Sequence, residues 1–260
     1  MSRIDEKFKE LKKNKKGAFV CFLTCGYPNI RDTLRLAKVM DEAGVDIIEL
    51  GMPFSDPLAD GPVIQHSSQE ALAKGVKLKD LFSVSKEIRK SSQIPLIVMG
   101  YLTPILKMGF KAFFKRCKEV GLDGVIVPDL PPEEAKEYIR QARAYNIDTI
   151  FFISPTTPLE RVGFISRVSR GFIYYVSVKG VTGPRSVIPE DLKKNLARVK
   201  KKVKKPICVG FGISTPEQAQ EIHKVADGVI VGSELIRKID SLFRKGKRKA
   251  FIRFLKKFHG

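Results

Sequence analysis

The sequence predicts an α/β fold, a (β/α)8 (TIM) barrel with an extra N-terminal helix, and three observations carry the prediction. Eight short β-branched runs alternate with longer helical patterns: AFVCFL near 18, DIIEL near 46, PLIVMG near 95, GVIVP near 124, DTIFFI near 148, FIYYVSV near 172, PICVGF near 206 and GVIVG near 228. The runs are apolar on both sides, as strands of a parallel sheet covered on both faces must be, and eight such units favour closure into a ring. A short phrase also recurs where helices give way to strands: AGVD at 43–46, VGLD at 120–123, YNID at 145–148 and VADG at 225–228. Gly44, Gly121 and Asn146 suit the left-handed position that ends a helix, and the following Asp opens the next strand. Residues 1–260 are read as one barrel domain, and 43% hydrophobic residues suffice for a full core.

Along the chain, Ile4, Phe8 and Leu11 fall at i, i+4 and i+7, which predicts a helix laid across the closed bottom of the barrel. The first strand ends in FLTCGYPN and brings Phe22 to the mouth. In the second, alternation directs Ile48 and Leu50 to the covering helices, and Ile47 and Glu49 to the barrel axis. The stretch 51–94 is long enough for a functional loop plus helix, and 178–190 (VKGVTGPRSVIPE) reads as a lid. The fifth strand, ending FFISPTT, is expected to place Ile153 in the mouth, and the sixth to add Tyr175. At the C-terminus Phe251, Phe254, Leu255 and Phe258 form an apolar stripe read as core packing.

Composition narrows the function. The net charge is +20, of which residues 1–16, 197–205 and 241–260 carry +4, +6 and +8, all away from the loops that look chemical. A solvated surface is the reading, with neither nucleic acid nor membrane expected as a partner. No apolar run approaches the ~18 residues that span a bilayer, and the charged N-terminus lacks a signal-peptide core, so a cytoplasmic protein is expected, or a stromal one if plastid-encoded or imported. Cys21, Cys25, Cys117 and Cys208 lack CxxC spacing, and His66, His223 and His259 are scattered, which points to neither a zinc nor a redox site.

In a barrel of this kind, function gathers at the C-terminal ends of the strands. Glu49 is there, an inward carboxylate whose burial should raise its pKa toward neutrality, as a general acid/base requires. After it, Gly51-Met-Pro-Phe-Ser-Asp-Pro-Leu-Ala-Asp60-Gly61 is stiffened by Pro53 and Pro57 and holds Asp60 over the mouth. Asp56 is read as a cap, turn or partner-contact residue. VGFGIST at 209–215 and VGSEL at 231–235 supply Gly210, Gly212, Gly232 and Ser233, whose backbone N–H groups can approach an oxyanion, with Gly183 of the lid above. That makes the barrel one of the phosphate-binding type, without an obvious Lys or Arg at the anion. Apolar walls opposite suggest a substrate with a flat hydrophobic end and a phosphorylated tail.

These motifs together resemble the tryptophan synthase α subunit family: IELGMPFSDPLADG, GYP at 26–28, GVTG at 180–183, GFGIS at 210–214 and VGS at 231–233 follow in family order, and the likeness covers essentially all 260 residues. The resemblance implies a lyase of L-tryptophan biosynthesis that cleaves indole-3-glycerol phosphate by a retro-aldol reaction into indole and glyceraldehyde 3-phosphate. It implies Glu49 as the acid/base, Asp60 as acceptor of the indole N–H, and Phe22, Ile153 and Tyr175 around the indole. Thr182 would reach Asp60, and Gly183, Phe211, Gly212, Gly232 and Ser233 would hold the phosphate end. No cofactor or metal is expected on this chain; pyridoxal phosphate belongs to a partner β subunit in an α2β2 complex. Thr103, where many members have Asn, and Pro184, where a small residue is usual, bear on coupling to that partner. Two other readings stand beside this one: a weakly catalytic or non-catalytic activator of the β chain, and another phosphate-binding-barrel aldolase using Lys179.

Overall fold

The structure, a computed structural model, describes residues 1–177, 189–210 and 212–259. The expected positions Lys179, Thr182, Gly183, Pro184 and Phe211 lie outside the described residues, as does most of the stretch read as a lid. The strands are β1 Ala18–Thr24, β2 Ile47–Gly51, β3 Leu96–Met99, β4 Gly124–Ile126, β5 Asp148–Ile150, β6 Phe152–Ile153, β7 Ile173–Val176, β8 Ile207–Gly210 and β9 Gly228–Val231. Every pairing is parallel, in the order β5-β4-β3-β2-β1-β9-β8-β7-β6. Because β5 and β6 are one strand interrupted at Phe151, that order closes the ring of eight expected from the sequence.

Two apolar layers follow from the closure. Alternate strand residues such as Cys21, Ile48, Leu50, Val98 and Val125 pack outward against the helices. Ala18, Val20, Phe22, Ile47, Ile97, Ile126, Ile150 and Ile230 fill the interior. The predicted N-terminal helix is Arg3–Lys13, and its Ile4, Phe8 and Leu11 join the interior layer, with Phe8 meeting Phe172 at 5.8 Å. The C-terminal stripe also packs as expected: Phe251, Leu255 and Phe258 are buried, and Phe258 stacks on Phe19 of β1 at 5.2 Å.

The recurring junction phrase has a structural explanation. Gly44, Gly121 and Asn146 all take positive φ, the conformation that turns a helix out into a strand. The Asp that follows accepts a backbone N–H from the strand before it: Asp46 from Phe19 at 2.8 Å, Asp123 from Leu96 at 2.9 Å, and Asp227 from Ile207 at 2.9 Å. Two of these carboxylates, together with Asp148 at the remaining junction, also anchor the plugging helix. Arg3 pairs with Asp123 at 2.8 Å, the Ser2 hydroxyl donates to Asp148 at 2.6 Å, and Lys7 lies 3.9 Å from Asp46.

Candidate active site

The mouth of the barrel holds a cavity of about 390 Å³, and its floor is set by the phase of each strand. Ile47 and Glu49 face inward while Ile48 and Leu50 face the helices, as alternation predicts. Glu49 pairs in the ladder with Phe22 on one side and Ile97 on the other, so its neighbours along the wall are apolar. Its side chain is 1% exposed, and neither carboxylate oxygen has a hydrogen-bond partner. Burial, and secondarily the nearby Asp60, push its pKa up to about 8. At neutral pH this group is therefore a carboxylic acid with a proton to give.

Asp60 reaches the same cavity from the loop after β2. Turn hydrogen bonds from Leu58 N to Asp56 O and from Asp60 N to Pro57 O, each 3.0 Å, fold that loop back. The helix Pro62–Ala73 begins with Gly61 as its N-cap and Pro62 in the first turn, so neither aspartate caps it; Asp56 points to solvent. Burial raises Asp60 to about 6, and a hydrogen bond from Tyr101 holds it from rising further. Tyr101 is a site residue that sequence reasoning missed. Its hydroxyl also accepts the Ala59 N–H at 3.0 Å, and its ring stacks on Phe54 at 5.1 Å, clamping the loop that carries Asp60. Two carboxylates of one cavity thus differ in state at pH 7, one neutral and one ionised.

The apolar wall departs from expectation by one residue. Ile153 and Tyr175 are buried in the outer layer beneath the helices, away from the mouth. Phe152 and Tyr174 face inward in their place, with ring centroids 4.8 Å apart. The two errors are one: Phe152 pairs with Tyr174 and Ile153 with Tyr175, so both strands change face together. The run Ile150-Phe151-Phe152-Ile153 has no polar residue to set its phase, and the break at Phe151 removes the count from its base. Phe22 stands where it was expected, beside Ile64, Met99 and Ile230, which the sequence did not single out.

Glycines at two strand ends seat these rings. A Cβ on Gly51 would lie 2.4 Å from the Phe22 ring, and one on Gly210 would lie 2.5 Å from the ring of Tyr174. Gly210, expected at an anion, thus makes room for an aromatic. Gly212, with φ of 79°, lines the cavity together with Ser214, Gly232 and Ser233. Glu234 and Arg237 lie at the same cavity, where no cation had been foreseen. Among the described residues, no three His, Cys, Asp or Glu side chains gather as a metal site requires, and no helix is long and apolar enough to cross a membrane.

Comparison with known proteins bears on what this cavity does. The profile of the family described as tryptophan synthase alpha chain matches residues 8–258. The chain is 45% identical to the tryptophan synthase alpha chain of Dehalococcoides mccartyi over 256 residues, 98% of each chain, and 45% identical to that of Pelobacter propionicus over 237 residues, 91% of this chain and 89% of the relative. Among solved structures, the tryptophan synthase subunit alpha of Legionella pneumophila superposes with a TM-score of 0.92 at 38% identity, covering 99% of this chain and 97% of that one. A chain of Mycobacterium tuberculosis tryptophan synthase superposes with a TM-score of 0.90 at 32% identity, covering 99% and 97%.

Proposed function

The chain belongs to the tryptophan synthase alpha chain family, which cleaves indole-3-glycerol phosphate, and from that premise we propose that Glu49 and Asp60 carry out the cleavage in the cavity at the barrel mouth. The observation that carries the assignment is Glu49, an unpartnered, fully buried carboxyl held protonated at neutral pH. A carboxylic acid so placed can protonate the indole ring carbon that bears the glycerol chain. The ring then holds a positive charge centred on its nitrogen. Asp60, ionised, accepts the ring N–H and stabilises that charge. As the carbon–carbon bond breaks, its electron pair returns to the ring and neutralises it. The chain hydroxyl on the departing carbon gives its proton to the Glu49 carboxylate and becomes the aldehyde of glyceraldehyde 3-phosphate, so the acid is restored.

Phe22, Phe152 and Tyr174 supply the walls for the flat ring in this reading, and Gly212, Gly232 and Ser233 the phosphate end. The steps need no group beyond the side chains, so no cofactor is assigned to this chain. The family works with a β subunit, and we assign the contact face to the loop ends around the mouth, in an α2β2 assembly in the cytoplasm. Leu58 and Leu106, 85% and 52% exposed, stand there among the few large apolar side chains left in solvent, near Asp56 and Thr103. The pyridoxal phosphate of the second reaction would sit on that partner.

Indole release from indole-3-glycerol phosphate tests the assignment. Glu49→Gln keeps the shape and removes the transferable proton, and kcat should fall by about 10²- to 10⁴-fold. Full activity in that variant would refute the role of Glu49; absence of turnover in wild type, with β subunit present, would favour a non-catalytic activator.

A further inference from the structure

Resting on that reading of the cavity, we propose that Arg237 is a substrate-binding residue, which leaves Glu234 to grip the substrate phosphate. The charge of the cavity wall makes the need plain. Glu49, Asp60 and Glu234 line it as carboxyls, and Arg237 is the one cation among the described lining residues. A phosphate monoester brings close to two negative charges at neutral pH. Backbone N–H dipoles alone would have to hold that dianion in a wall otherwise acidic.

The position of Arg237 suits the task. It lies four residues after Ser233 in the helix Ser233–Lys238, hence on the same face one turn on. Helical side chains lean toward the helix N-terminus, which carries the guanidinium back over Ser233 and Gly232. Independent of the helix end, the unpartnered buried carboxyl of Glu49 shows that the cavity is arranged for a guest molecule.

The resting partner is easily exchanged. Arg237 Nη1 lies 3.3 Å from Glu234 Oε2, and its side chain is more than half exposed, the setting in which an ion pair contributes little. The other oxygen of Glu234 is already held by Lys238, also at 3.3 Å. When Arg237 turns to the phosphate, Glu234 keeps a cation, and no buried charge is stranded. The planar fork of arginine matches two phosphate oxygens at once, so the new contact is stronger than the old.

The test uses the full chain. Arg237→Gln should raise KM for indole-3-glycerol phosphate about tenfold with kcat within about twofold, the pattern of lost uniform binding. Its Kd for glycerol 3-phosphate should rise in parallel, while that for indole stays unchanged. Arg237→Lys should recover part of the loss, and also serves if the Gln variant does not fold. Glu234→Gln, by freeing the guanidinium, should tighten glycerol 3-phosphate binding. An unchanged glycerol 3-phosphate affinity in Arg237→Gln, or an equal weakening of indole, would overturn the proposal. If wild type releases no indole, the catalytic reading fails instead, and the glycerol 3-phosphate comparison still decides the role of Arg237.

Discussion

Glu49 and Asp60 show how one cavity sets two carboxyl groups to different duties. Both are raised by burial, but Glu49 is sealed among apolar neighbours at about 8, whereas Asp60 keeps a hydrogen bond from Tyr101 and stops at about 6. The reaction needs the first protonated and the second ionised. The kcat profile should therefore be bell-shaped, falling below about pH 6 and above about pH 8, and Tyr101→Phe should move the acid limb upward by releasing Asp60; a flat profile from pH 5 to 9 would count against both roles. Stability carries the same signature. The folded pKa of Glu49 exceeds its unfolded value, so its contribution is present at pH 4 and is lost as pH rises through about 8. Denaturant midpoints of Glu49→Gln and wild type should then coincide near pH 4, and the variant should lead by a few kcal/mol, roughly, at pH 9.

At the scale of the strand, a single residue of phase separates the wall of the site from the packing behind it. Tyr174→Ala should weaken substrate binding at least several-fold. Tyr175→Phe, which removes a buried hydroxyl that has no hydrogen-bond partner, should leave kcat/KM within about twofold and raise the unfolding free energy by about 1 kcal/mol. Reversed outcomes would restore Tyr175 to the mouth. The contrast also marks how far the sequence could be read. Glu49 was legible because a charged residue in an apolar strand declares its own direction, and Asp60 because prolines fix its loop. The junction glycines were legible because left-handed turns restrict residue type. Phe152 and Tyr174 were not, since two adjacent apolar rings give no sign of which faces in. Arg237 was hidden because only the folded helix brings a residue four places past Ser233 back to the cavity.

Across the whole molecule, the two ends of the barrel are divided by task. The mouth holds Glu49 and Asp60, while the closed end carries Lys12, Lys15, Lys16, Lys200, Lys204, Lys205 and Lys224 around a shallow basin that Asp227 also lines. Helices of a parallel barrel all end on that side, and cations there complement the negative ends of their dipoles. Much of the +20 charge thus has a place in the fold. The plugging helix belongs to the same division. Phe8→Ala should destabilise the chain by about 3 to 5 kcal/mol, measured by urea unfolding, yet leave KM unchanged, since its ring packs on Phe172 at the closed end of the interior layer and not at the substrate. A changed KM would mean that the two ends are coupled. The aspartates at the strand bases bear on how such a ring is assembled. Each tie joins residues only 27, 27 and 20 positions apart, whereas closing the ring awaits the last strand. Short loops close at little entropic cost, so each strand-helix-strand unit can latch as soon as it leaves the ribosome. In pulse-labelled refolding, the amides of Phe19, Leu96 and Ile207 should accordingly gain protection from exchange before that of Ala18, whose bond to Asp227 O spans nearly the entire chain.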